Sequence, residues 1–308
     1  MAEDTEKIKN DLILLLSQYE FGSFLLGIIG DDQRKDIKKE IGSAIENHFK
    51  IAIDHIYPDI LAKVDLETGQ IHLDIKPLFI YGRYQKLQRN ISQTRLCAKY
   101  QSVEGLIGEI VLKQTKGSKA ILHGAGREDI DVLMLGNGRP FVIEIKEPQI
   151  RNLDLIKLEQ EINKKQKNKI NVAQLRFSDA QEIALLKDAG LEKTYRVLVQ
   201  GQQNFDKLKL FEAVQTLNGA TIIQRTPNRV MGHRSDLMRK RQIIFFKTQE
   251  MKGNSAEFSI KTQSGTYIKE LINGDKGQTN PSLTSLLGQQ CQVKELDVIE
   301  IGKGFLAP

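Results

Sequence analysis

A chain of 308 residues, 40% hydrophobic and 27% charged, is long enough for two packed domains and lacks the composition of a disordered protein. Lysine and arginine outnumber aspartate and glutamate by 45 to 39, giving a formal charge of +6 and a pI near 9.1, which favours an anionic partner and makes nucleic acid the first candidate. No run approaches the roughly 18 apolar residues of a membrane span, and the opening Ala2, Glu3 and Asp4 do not lead a basic stretch into an apolar one. Two cysteines, Cys97 and Cys291, lie far apart without partners at ligand spacing, which excludes a disulfide framework and a thiolate zinc site. A soluble, cytoplasmic protein is expected.

Ile37, Ile41, Ile45 and Phe49 recur every four residues and predict an amphipathic helix over 34–49. Ile71, Leu73 and Ile75 alternate with polar neighbours, a half-buried strand running toward Pro77. Together they predict a small α/β domain over 1–80. Residues 81–308 are richer in strands. Segments 130–135 and 140–146 read as two strands joined by a Gly136-Asn137-Gly138 hairpin turn, since glycine accepts positive φ. A helix over 153–163 runs into the basic linker or helix end "NKKQKNK" at 163–169, and a second helix covers 179–189. Strand 194–200, helix 206–217, strands 220–225, 241–247 and 257–263, a helix at 281–288 and strand 293–301 follow. This order predicts an α+β domain around a mostly antiparallel mixed sheet.

Four constellations bear on chemistry. Asp129 and Asp131 stand behind a Gly-Ala-Gly-Arg turn at the end of a strand, where Gly124 and Gly126 permit close backbone approach and Arg127 offers a phosphate-binding fork. Turn chemistry or a surface salt bridge is the plainer account of such acids. In "RTPNRVMGHRSDLMRKR", Arg225, Arg229, Arg234, Arg239, Lys240 and Arg241 face one acid, Asp236, a density suited to a phosphate backbone or to a solvated charged face. Pro227 there argues for an extended or looped grip. Lys269 follows a "GTYIK" strand end, flanked by Ile268 and Leu271, which serve either as a dry pocket or simply as core. Tyr195, in the strand "KTYRVLVQG", can stack on a base, move a proton or merely pack.

Asp129 or Asp131, with Glu144 and Lys146, also has the acid, acid, lysine layout of a magnesium-dependent nuclease. Histidines 48, 55, 72, 123 and 233 show no metal-ligand spacing. A non-catalytic tRNA-binding module, with 225–241 as its surface, is a third reading.

The segments "PLFIYGRYQKLQRNISQT" (77–94), "HGAGREDIDVLMLGNGRPFVIEIKEP" (123–148), "KTYRVLV", "QRTPNRVMGHRSD" and "GTYIKELINGDKGQTNPS" occur in one order, and in that order the chain resembles the tRNA pseudouridine synthases called Pus-ten, of archaeal type. "GTYIKEL" is also similar to the Gly-Thr-Tyr-Ile-Arg motif of TruB-type synthases, with lysine for arginine. The resemblance implies a pseudouridine synthase catalytic domain and isomerisation of uridine 54, uridine 55 or both in the TΨC loop. It implies Asp129 as nucleophile, Tyr195 packed on the target uracil, Lys269 as the basic partner of Asp129, and Ile268 and Leu296 as the apolar wall. No cofactor or metal is implied. Residues 1–80 resemble the family's THUMP-like RNA-binding accessory region through "YEFGSFLLG" and "IKKEIGSAIENHF". The chain departs from many relatives in lacking a cysteine-rich zinc insertion within "QTRLCAKYQSVEG", and in carrying Gln278, Asn273 and Ser92 where relatives tend to have arginine, histidine and proline. The expected partner is the TΨC arm of tRNA; with no long heptad or isolated apolar stripe, a monomer without an obligate protein partner is expected.

Overall fold

A computed structural model describes residues 2–29, 35–95, 101–227, 229 and 235–302. Two sheets, each with its own apolar core, divide the chain. The first is built from α1 (Ala2–Leu16), β1 (Ser23–Ile29), α2 (Lys35–Phe49), β2 (Ala52–Ile53), β3 (Ile60–Asp65) and β4 (Ile71–Ile75). Its strands lie in the order β2-β1-β3-β4, with β1 parallel to both neighbours and β4 antiparallel to β3. Ile41 and Ile45 of α2 are fully buried against Phe24, Leu26, Ile60 and Val64, so the four-residue period does mark the inward face. The unforeseen α1 adds Ile8, Leu12 and Leu16 to the same core at the same spacing.

β5 (Leu78–Lys86) opens the second sheet, so the change of sheet falls at Lys76 and Pro77, and a boundary placed at 80 cuts this strand. There follow α3 (Val103–Thr115), β6 (Lys119–Gly124), β7 (Leu133–Lys146), α4 (Leu155–Lys165), β8 (Ile170–Ser178), α5 (Ala180–Asp188) and β9 (Lys193–Gly201). Then come α6 (Lys207–Leu217), β10 (Thr221–Arg225), β11 (Met238–Lys252), β12 (Ser255–Thr262), α7 (Ile268–Asn273), β13 (Thr279–Asn280), α8 (Leu283–Leu287) and β14 (Cys291–Ile301). The strands run β13-β10-β11-β12-β9-β14-β7-β5-β8, with β6 also on β7. The pair β14–β7 is parallel and the other pairs of this sheet are antiparallel, an α+β domain of the expected kind. Asp154, Asp179 and Asp206 cap α4, α5 and α6, each accepting from backbone N–H groups that a helix start leaves unpaired. The two units are tied at Glu20, whose carboxylate accepts from the backbone N–H of Arg151 at 2.7 Å and of Asn152 at 2.9 Å.

Two expectations need correction. Gly136-Asn137-Gly138 is not a hairpin turn but an enlarged bulge within one strand: β7 continues past it in the same direction, with Met134 opposite Lys86 and Arg139 opposite Tyr84. Both glycines have positive φ, and a Cβ on Gly136 would lie 1.8 Å from the Ile299 carbonyl oxygen. The reason is tertiary: Asn137 bonds the backbone of Ile301 through both ends of its amide, at 2.6 and 2.9 Å. Secondly, "GTYIK" is not a strand end, because Tyr267 begins α7, with Ile268 and Lys269 in its first turn. Of the two readings of "NKKQKNK", the helix end is the one found. Lys164 and Lys165 form the last turn of α4, where cations suit the helix dipole, and β8 starts at Ile170.

Candidate active site

Asp129 lies on the connection from β6 to β7, and buried side chains grip the backbone of that connection from behind. Lys86, with a fully buried side chain, donates to the carbonyls of Ile91 at 2.8 Å, Asp129 at 3.0 Å and Ile130 at 3.4 Å. Gln93 donates to the Gly126 carbonyl at 2.9 Å, and Arg139 Nη1 to that of Ala125 at 2.6 Å. Arg139 Nε is paired with Glu128 at 2.8 Å, and the Tyr84 hydroxyl reaches both oxygens of Glu128 at 3.0 Å. Gly126, at φ +81, leaves room for this arrangement: a Cβ there would sit 3.1 Å from Arg139 Nη1. Burial raises the Tyr84 hydroxyl well above its ordinary value, and the Glu128 charge adds to the rise. Glu128 is thus turned into the protein while its neighbour Asp129 is turned out.

The Asp129 carboxylate meets two cations from distant parts of the chain. Lys269 Nζ lies 3.1 Å away and also reaches Asp131 at 2.9 Å. Arg229 Nη1 lies 3.0 and 3.2 Å from the two oxygens of Asp129. The far side of the same guanidinium is held by Glu270, with Nε 2.7 Å from Oε1. Burial alone would raise the carboxyl of Asp129, but Arg229 and then Lys269 outweigh it and hold it below its ordinary 3.8. Burial likewise opposes the charge on Lys269, and Asp131 and Asp129 overcome it and raise its ammonium. The cluster keeps the carboxylate ionised.

Tyr195, on β9 between Ile260 of β12 and Val298 of β14, is within electrostatic reach of both Arg139 and Asp129. Burial pushes its hydroxyl up to about 12 against the pull of Arg139, so it stays protonated at neutral pH. Ile268 and Leu296 are almost wholly buried in the main core, with Tyr195 packed against it. Lys193, two residues before Tyr195, donates to the Leu191 carbonyl at 3.2 Å; burial and then Arg139 bring its ammonium down to about 8.

The other expected contacts are dispersed. Arg127 is exposed and donates to Thr94 Oγ1 at 3.2 Å. Within the basic run, Arg225 pairs with Asp236 at 2.5 Å, and Arg239 donates to Thr226 Oγ1 at 2.7 Å. Lys240 and Arg241 are successive residues of β11 and therefore point to opposite faces. Arg234 lies outside the described residues, as do Cys97 and His233. Asp236 is the one acid within this run, and Arg229 engages two acids from outside it, Asp129 and Glu270. The acids of the nuclease layout also part company: Asp129 and Asp131 hold Lys269, whereas Glu144 pairs with Lys146 at 2.5 Å and His123 at 3.0 Å. Among the described residues, no group of three His, Cys, Asp or Glu side chains is arranged to hold a metal ion.

Sequence reasoning did not find Lys86, Glu128, Arg139 or Glu270. The available signal was charge inside otherwise apolar strands: Lys86 closes a strand containing Ile80 and Tyr84, and Arg139 precedes Phe141, Val142 and Ile143.

The sequence profile of the family described as "Pus10, C-terminal" matches residues 79–302. The tRNA pseudouridine synthase Pus10 of Methanocaldococcus jannaschii is 43% identical over 331 residues, covering 96% of this chain and 72% of its own. Those of Thermoplasma acidophilum and Archaeoglobus fulgidus are 36% and 37% identical, covering 98% and 96% of this chain and 75% and 91% of theirs. The crystal structure of a Cbf5-Nop10-Gar1 complex overlaps 72% of this chain and 49% of its own at 16% identity and a TM-score of 0.42.

Proposed function

We propose, from the premise that the chain belongs to the Pus10 family of tRNA pseudouridine synthases, that it isomerises uridine 54, uridine 55 or both in the TΨC loop of tRNA, with Asp129 as nucleophile. The observation that carries this reading is the contact between Asp129 and Lys269, 3.1 Å across 140 residues of chain, on a connection whose carbonyls are gripped by buried donors. Converting uridine to pseudouridine breaks the bond from N1 to C1′ of the ribose and makes one from C5 to C1′; the proton leaves C5 and N1 regains one. The reaction is redox-neutral and needs no group donor. It needs an anion near the sugar, and the cations at Asp129 keep that carboxylate charged.

The uracil must leave the loop's stack, turn while detached and be kept from water, which calls for an aromatic face and apolar walls. Tyr195, Ile268 and Leu296 take that role in this reading. Because the Tyr195 hydroxyl is raised to about 12, it serves as a neutral surface or a proton donor rather than as an anionic base. Arg225, Arg239 and Arg241 hold phosphates, together with Arg127 near the site. The sheet carrying α1 and α2 acts as an accessory RNA-binding unit of THUMP-like type. No helix among the described residues is long and apolar enough to cross a membrane, and we assign the protein to the cytoplasm, acting as a monomer.

The test is tritium release from a tRNA transcript labelled at C5 of uridine, with product mapping at positions 54 and 55. The wild-type protein is expected to release label, and Asp129→Asn to release none above background. Release by Asp129→Asn at the wild-type rate would remove the nucleophile from this reading, and wild-type conversion only at other positions would remove the assigned uridines.

A further inference from the structure

The two cations at Asp129 are anchored differently. Lys269 stands on α7, fixed by the buried Ile268, Leu271 and Ile272. Arg229 comes from the connection between β10 and β11, and its hold lies at the other end of its own side chain, where Nε meets Glu270. Glu270 is 5% exposed whereas Arg229 is 38% exposed. A buried carboxylate stripped of its cation is strongly disfavoured, so Glu270 keeps the Nε end in place. Nη2 also reaches Glu270 Oε2, at 3.4 Å, while Nη1 alone spans both oxygens of Asp129.

That arrangement caps the group expected to act on the ribose. An oxygen hydrogen-bonded to a guanidinium is a poorer nucleophile, and the guanidinium occupies the approach to it. If an incoming nucleotide exchanges one of the two cations, Lys269 is the one mounted on a packed helix and Arg229 the more exposed. The same nucleotide brings a phosphodiester, whose oxygens accept charge-assisted hydrogen bonds from a guanidinium N–H and can replace one anion with another.

We infer that Arg229, held along its Nε and Nη2 edge by Glu270, forms a phosphate subsite beside Asp129, its Nη1 passing from the Asp129 carboxylate to a phosphodiester flanking the target uridine when RNA enters. This rests on the synthase reading above and adds to it the identity of a phosphate-binding residue. Glu270, which does not touch the RNA, is a positioning residue.

The experiment uses TΨC stem-loop RNAs in which either phosphate flanking the target uridine is replaced by a neutral methylphosphonate, with kcat/KM measured for the full-length wild type, Arg229→Met and Glu270→Gln. The wild type is expected to lose about 10- to 100-fold at one of the two positions, the worth of a charge-assisted hydrogen bond. Arg229→Met should be slower on unmodified RNA and lose less than about twofold at that position. Glu270→Gln, which loosens the anchor, should give an intermediate loss expressed mainly in KM. If Arg229→Met turns over too slowly to measure, the same comparison is made on Kd, with the same expectation. Equal losses in wild type and Arg229→Met at both positions, or no loss in the wild type at either, would overturn the inference. Pseudouridine formation by the wild type on unmodified RNA separates that failure from a failure of the synthase reading itself.

Discussion

The connection that carries Asp129 and the segment that carries Arg229 supply opposite charges to one site and are built in opposite ways. The first is held from inside: the carbonyls of residues 125, 126, 129 and 130 accept from Arg139, Gln93 and Lys86, all buried. The second carries its charges at the surface, where the side chains of Arg225 and Asp236 are 48% and 39% exposed and those of Arg229 and Asp129 38% each, although Thr226 beside them is buried. Buried polar bonds fix position because leaving them unmade is expensive, whereas exposed pairs hold loosely and exchange readily with other ions. One group is placed and the other is exchangeable.

The largest effect should come from breaking the inner support. Glu128→Ala leaves Arg139 charged, buried and without its carboxylate, so unfolding in urea is expected to show a loss of about 3–5 kcal/mol. If the loss is below about 1 kcal/mol, the contrast between the two segments fails. Next is Lys269→Met, expected to lower kcat/KM on the order of 100-fold as a charged donor at Asp129 is lost. Because Lys269 helps to hold the Asp129 carboxyl below 3.8, its removal should also move the acid limb of the pH profile upward; Lys269→Arg should restore most of both.

A third measurement sharpens the inner side. Lys193 binds its proton with a value of about 8 in the fold, against 10.5 in its ordinary state, so between these the unfolded chain holds more protons and stability rises with pH. Lys193→Met is expected to remove that slope and to raise stability at pH 7 by about 1–3 kcal/mol, read from urea midpoints at pH 7 and 10. The smallest effects belong to the outer segment. Arg241→Ala should change stability by less than about 0.5 kcal/mol and reduce the log-log salt slope of RNA binding by about 0.7–0.9. Lys240→Ala, on the opposite face of β11, should leave the slope unchanged, and equal effects of the two would show that the RNA is not confined to one face.

How much was legible follows the same division between local and distant causes. Helices α2, α4, α5 and α6 announce themselves through apolar spacing or an aspartate before the first turn, both local signals. Helix α3 carries the same local signal, with Val103, Leu106, Ile107, Ile110 and Val111 at i, i+3, i+4, i+7 and i+8 and Glu109 and Lys113 on the exposed face, yet it is missing from the elements expected above. Gly136-Asn137-Gly138 reads locally as a turn, yet the contact that decides it is with Ile299 and Ile301, more than 160 residues away. The meeting of Asp129 and Lys269 was available only through the family resemblance. Nothing in the spacing of Arg229 and Glu270 announces that they face each other across 41 residues.

β14 follows every other described strand in the chain, yet it lies between β9 and β7, as the plank that joins two rafts. Asp129 belongs to the raft on one side and Arg229 and Lys269 to the other. The two sides of the Asp129 cluster are thus joined in one sheet through residues 291–301.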